Sequence, residues 1–445
     1  MNVREREEKM GIHKKREEKA QYDIKIFHFN FKINLEGLRV FINNLSPVAK
    51  EYDKTLTEKI SKICEELLKI TGVSENKLKE IKLEKKKFKL TKKQLLQILK
   101  TSKALPKSTP VNVKLLHKSA FVMLISYFDF LISDLIHYFY KRYPESLSGK
   151  ELSIKLNELI LCDHLTEAID YIVNKEVDSV LYDNFEKQKT YFKDYLKINI
   201  KENIIHWDII NEAIERRNII VHNNSKINKR YLKSVDLSVI PKKTKGLKEG
   251  NKIGINEDYF TIVFDEILIA GIILFQSCWR KWRKDDIDSV DYLLIKDMYD
   301  ALSQEKWTVA ERLGLFAKEC KVSSERNRLL LSINYCQSLK WQNKKKDLEK
   351  ELEKFDTSTI SPKYILALCA LKSDRNNFYK NIEGAIIVDK MEKDDFMEWP
   401  LFRELRKEPD FEERIKSAFI SVSKRIKVNP KINQKGRGVK TDKND

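Results

Sequence analysis

The chain has 445 residues, few of them Gly or Pro (12 and 9), and is rich in Lys, Glu, Leu and Ile, a composition that points to two or three mostly helical domains. Its 86 basic against 67 acidic side chains give a formal charge of +19, which favours polyanionic partners and RNA first, unless an AT-rich genome alone inflates lysine. Six dispersed cysteines (Cys64, Cys162, Cys278, Cys320, Cys336, Cys369) form no CxxC and no Cys/His cluster, so a disulfide framework and a zinc site are set aside in favour of core thiols in a reducing cytoplasm.

In chain order, Met1 to Lys19 alternates charges and has no apolar stretch that would read as a targeting signal. Residues 1–105 read as a charged, basic helical region. Ile60, Ile63, Leu67 and Leu68 form one amphipathic stripe, and Leu95, Leu96 and Leu99 another. Between them Lys77 to Lys93 is strongly basic and serves equally as a track for a phosphate backbone or as a solvated face. The prolines of Leu105-Pro106-Lys107-Ser108-Thr109-Pro110 make the first break. Val113 to Tyr140 follows as a core helix, apolar around most of its circumference and expected to be buried nearly all round. Asp129 is anomalous in that setting, since a buried carboxylate needs a cation or several donors; Arg217 is the candidate partner, with a backbone amide or water as the mundane one. Leu156 to Leu196 supplies two more helices, the second rich in aromatics.

The next helix, Glu202 to His222, carries the polar residues on which a function is built. At helical period Arg217 falls among Ile210, Ala213, Ile214 and Ile220, where a guanidinium needs an acid, a phosphate or a wet groove. Arg216 falls on the polar flank. Asn218 and His222, four apart, share a face, and Asn223-Asn224 suits a helix C-terminus with a left-handed residue. Arginine stabilises phosphate charge, histidine moves protons near neutral pH, and asparagine orients groups, a set that suffices for metal-free RNA cleavage. The plain alternative is a surface histidine and a structurally paired arginine.

Arg217-Asn218-xxx-His222-Asn223-Asn224, with Arg230-Tyr231 beyond, resembles the R-polar-x3-H signature of HEPN domains, and the likeness covers roughly residues 105–285. The resemblance implies an all-α bundle at 106–286 that dimerises, with Arg217, Asn218 and His222 as catalytic residues converging at a dimer cleft. It further implies a prokaryotic toxin or anti-phage effector that cuts tRNA, rRNA or mRNA. Toxins of this family silenced by adenylylation carry a tyrosine two positions after the histidine; here that position is Asn224, which puts such control in doubt.

Lys242 to Lys252 reads as an exposed basic connector, its glycines lacking any phosphate-loop spacing. The apolar run Ile267 to Trp279, too short for a bilayer, belongs to a buried helix, Tyr259 to Trp282, and no membrane association is expected. His13, His28, His117, His137, His164 and His206 have no partner at ligand spacing; only His206, just ahead of the motif, merits a test. From 287 to 422 short helix pairs recur (Asp291–Ser303 with Trp307–Cys320, Asn327–Leu339 with Lys344–Phe355, Ile365–Lys372 with Asn376–Ala385), resembling a degenerate tetratricopeptide-type array that binds a protein partner or antitoxin. Residues 423–445 read as a basic disordered tail.

The expectation is thus an all-α cytoplasmic endoribonuclease, a homodimer acting on RNA with no cofactor and no metal. The competing reading is a non-catalytic RNA- or nucleotide-binding module on a repeat scaffold.

Overall fold

In a computed structural model the protein is all-α. The structure describes residues 23–72, 89–147, 153–160, 162–199, 203–240, 247–358 and 360–428. The charged N-terminus, residues 77–88 of the Lys77–Lys93 stretch, the first part of the Lys242–Lys252 connector and the segment 429–445 lie outside them. Two compact units divide the chain: residues 1–191 with 206–271, and 192–205 with 272–445. This division differs from the sequence boundaries at 105 and 286, because the first long helix packs onto the Asn112 helix within one unit.

In the first unit, α1 (Ile24–Thr71) is capped by Asp23, whose side chain accepts from the Lys25 amide, and ends at Gly72, whose φ of 68° only glycine adopts without cost. Its buried residues Ile24, Phe27, Phe31, Leu35, Leu38 and Ile42 recur at three and four, making one stripe against the next long helix. The short α2 (Lys92–Ser102) opens on a Thr91/Gln94 capping box, and Gln94 Nε2 donates to the Ile70 carbonyl at 3.0 Å. The expected stripe Leu95, Leu96, Leu99 faces solvent instead of a core. That is a correction: the α2 residues turned inward are Gln94 and Ile98.

Helix α3 (Asn112–Arg142) is the axis of this unit, packed against α1, against α4 (Leu165–Tyr182) and against the motif helix. Its first residues have no cap of their own. Asp53 of α1 supplies it, accepting from the Asn112 and Val113 amides at 3.1 and 3.0 Å and from Asn112 Nδ2 at 2.7 Å. The expected burial all round is corrected to a one-sided one: Phe121, Leu124, Phe128, Leu131 and Leu135 are buried, whereas Leu115, Met123 and Phe130 lie on an uncovered stripe. After α5 (Phe185–Asp194), the motif helix α6 (Trp207–His222) begins later than expected, since Ile204 and Ile205 are buried outside it. Then come α7 (Lys229–Ser234) and the long α8 (Glu257–Trp282). Gly271 on α8 is required by close approach: a Cβ there would strike the Phe31 ring. By length and composition α3 and α8 could each cross a membrane, so the length argument made from the apolar run does not hold; half and 72% of their most apolar windows are nonetheless buried within the protein, as in core helices.

The second unit contains helix pairs close to where the sequence places them: α9 (Ile287–Ser303) and α10 (Trp307–Lys318), α11 (Glu325–Trp341) and α12 (Lys345–Leu352), α13 (Pro362–Lys372) and α14 (Arg375–Val388). Each pair packs internally and α11 touches both α9 and α13. Arg280 and the fully buried Asp291 form an ion pair at 2.6 Å, with Asp291 also accepting from the Ser323 amide. After α15 (Lys393–Glu398), α16 (Phe411–Val428) runs through position 423, so the expected start of a disordered tail falls inside a helix.

Candidate functional site around the C-terminal end of α6

Helix α6 is amphipathic in an unusual way. Its buried side holds Trp207, Ile210, Ala213 and Ile219, but also Glu212, Glu215 and Arg216. Arg216 is therefore the buried arginine, 2% exposed, which corrects its assignment to a solvated flank. It survives there because its charge is answered. Nε donates to Glu212 at 2.8 Å, Nη1 donates to the Gly254 carbonyl at 3.2 Å, and the guanidinium carbon lies 3.6 Å from the Tyr259 ring centre. Glu212 accepts further from the hydroxyls of Tyr231 and Tyr259. Burial pushes both tyrosines up, reinforced by the Glu212 charge, so they remain donors. The Glu212–Arg216 spacing of four was the sequence signal for this knot; its two tyrosines had none.

Arg217 lies at the edge of the packed face, not within it. Its side chain is 26% exposed. Nη2 donates to Asp129 of α3 at 3.0 Å, which is the pairing suggested by the two anomalies in the sequence, here made within one chain. Nη1 donates to Asn218 Oδ1 at 3.1 Å, and Nε is buried without a partner. Each terminal nitrogen retains an N–H to give. Burial pushes the Asp129 carboxyl up to about 6, against the lowering influence of Arg217.

His222 is the last residue of α6, exposed, with no hydrogen bond among the described residues. Five positions beyond Arg217, it stands about 7.5 Å further along the axis and about 140° around it, so a single α6 does not bring the two groups together. The structure thus unites Arg217, Asn218 and Asp129 and leaves His222 apart. Beyond it the chain reverses through Asn224 and Ser225, both left-handed at φ 49° and 61°. The reversal is pinned from several sides. Ser225 accepts from Lys118 Nζ of α3 at 2.7 Å, its carbonyl accepts from the Ile253 amide, and the Ile227 amide donates to the Asn251 carbonyl. Among the described residues of the connector, 248–252 are exposed as expected, and Ile253 and Ile255 just beyond it are buried. Nothing in the sequence pattern marked Lys118.

Asp129–Arg217 and Lys118–Ser225 together run α3 and α6 antiparallel, and Lys118 and Asp129, eleven apart, share one face of α3. His206, the N-cap residue of α6, places Nδ1 3.0 Å from Glu266 Oε1, a structural tether at the far end of the helix from Arg217 and His222. Other candidate histidines are similarly engaged: His117 contacts Ser46 and stacks on Phe260, and His137 meets the Ser133 carbonyl and Asn174.

No family model matches the chain, and neither a curated protein nor a solved structure matches it.

Proposed function

We propose that this protein is an endoribonuclease of the HEPN type, acting as a homodimer and requiring no divalent metal, with Arg217, Asn218 and His222 as its working residues. His222 takes the proton from the ribose 2′-OH, whose oxygen attacks the adjacent phosphorus. Arg217 meets the charge that builds on the phosphorane with its two unspent terminal N–H groups. The bond to the 5′-oxygen then breaks, and the proton is delivered to that oxygen by an imidazolium, leaving a 2′,3′-cyclic phosphate and a free 5′-hydroxyl.

The single observation that carries this reading is the treatment of two adjacent arginines. Arg216 is sealed into a buried knot, whereas Arg217 is held in one orientation by Asp129 and Asn218 at the accessible edge of the bundle. Two further features support it. Arg217 and His222 of one α6 diverge, so a phosphate served by both calls for a second copy. The uncovered Leu115 and Met123 of α3 and Val221 of α6 offer apolar surface for that copy. A toxin or anti-phage role, tRNA, rRNA or mRNA as target, a cytoplasmic location and a partner or antitoxin on the helix pairs of the second unit belong to the same proposal.

Induced expression tests it. The wild type should arrest growth and produce RNA ends bearing 2′,3′-cyclic phosphate, and Arg217→Ala and His222→Ala should each abolish both while remaining folded. If the wild type binds RNA but never cuts it, and both variants bind equally well, the protein is a binding module and the catalytic assignment is wrong. Loss of dimerisation in Arg217→Ala with no RNA phenotype would make the Asp129 pair purely structural.

A further inference from the structure

On the side of α3 away from the Lys118–Asp129 face, a cleft of about 330 Å³ opens between α1 and α3. Its walls are aromatic. Phe27 and Phe31 of α1 are buried, Phe27 set edge-on against Tyr138 at 6.1 Å, and Phe31 seated where Gly271 has no side chain. Tyr127 and Phe130 of α3 complete it as a single wall, their ring centres 6.2 Å apart and their planes tilted by 59°. Phe130 is 55% exposed, a large ring left facing an open space.

The polar groups of the cleft are unspent. Asn30 and Asn34, one turn apart on α1, and Asp134 of α3 make no hydrogen bond or ion pair among the described residues. For Asp134 this is costly, since burial already pushes its carboxyl up and only His137, itself engaged with Ser133 and Asn174, lowers it. A half-buried carboxylate beside two carboxamides that offer both donors and acceptors presents a recognition surface.

The chemistry of that ligand follows from the groups. An exposed aromatic wall takes a flat ring system against it. A lone carboxylate is best answered by two N–H groups on one edge, which guanine presents through its ring N1–H and its exocyclic amino group, and which adenine, cytosine and uracil do not. The volume accommodates a base with its ribose. We infer that the α1–α3 cleft binds a guanine base, with Asp134 accepting from its Watson–Crick edge, Asn30 and Asn34 serving its remaining polar atoms, and the exposed Phe130 ring against one of its faces. The inference does not depend on the catalytic reading, because it is tested by binding alone.

The test uses the full chain titrated with GMP, AMP, CMP and UMP by calorimetry. GMP should bind about tenfold or more tightly than the others. Asp134→Asn, checked for unchanged thermal unfolding, should erase that preference, and Phe130→Ala should weaken GMP binding. Equal binding or no binding of the four nucleotides, or a preference that survives Asp134→Asn, would overturn it. Competition in the His222→Ala background separates the sources of the base: displacement of GMP by a single-stranded oligoribonucleotide containing guanine, but not by its adenine-substituted counterpart, assigns the cleft to a base in an RNA strand. Undisturbed GMP binding assigns it to a free guanine nucleotide.

Discussion

Glu212, Arg216, Tyr231 and Tyr259 close on one another inside the first unit, while the next residue, Arg217, reaches outward to Asp129 and Asn218. The two arginines should therefore fail in opposite ways. Arg216→Ala leaves the Glu212 carboxylate buried with only hydroxyl partners and should cost about 3–5 kcal/mol, read as a lowered denaturant midpoint. Arg217→Ala removes a partly exposed pair and should cost about 1 kcal/mol or less, yet eliminate RNA cleavage. Asp129 adds a pH signature. Its carboxyl is pushed up to about 6 from an ordinary 3.8, so the folded protein binds a proton there more readily than the unfolded chain. The associated stability is complete below about 4 and is lost as pH rises through about 6, at most about 3 kcal/mol. Asp129→Asn should flatten this rise on acidification in unfolding measurements. Cleavage should show the reverse slope, because only the ionised carboxylate pairs with Arg217, and activity should fall as pH drops through about 6.

At the scale of elements, the site depends on how helices that lack caps are finished by their neighbours. The start of α3 is completed by Asp53 of α1, and donors from Val113 and Asn112 draw that carboxyl below its usual range although burial opposes them. A depressed carboxyl contributes stability above its unfolded value that is lost as pH falls. Asp53→Ala should accordingly lower the melting temperature at neutral pH and much less near pH 3. The α1–α3–α8 crossing rests on Gly271, where a side chain would have to displace the Phe31 ring; Gly271→Ala should cost about 1–3 kcal/mol and close or distort the α1–α3 cleft. The turn after His222 rests on Lys118, whose Nζ holds Ser225.

For the whole molecule, the uncovered stripe of α3 is the feature that sequence pattern could not show. Paired substitution Leu115→Asp with Met123→Asp places charge on that face without entering the core. It should yield a folded monomer by analytical ultracentrifugation, and with it the loss of RNA cleavage; a cleaving monomer would show that one copy suffices.

What the sequence by itself determined was helicity, helix order and the residues worth asking about. Periodicity placed α3, α8 and the helix pairs of the second unit within a few residues but did not bound the long α1, and a lone acid and a lone base in apolar surroundings pointed to the Asp129–Arg217 pair. Only the tertiary structure decided which arginine of the Arg216-Arg217 doublet is buried, that Leu95, Leu96 and Leu99 stay exposed, that Tyr259 closes on Glu212 and Arg216, and that Lys118 holds the turn after His222. The reason is geometric. Adjacent helical residues differ by about 100° about the axis, so the choice between them depends on where neighbouring helices stand, and those positions are set by contacts far away in the chain.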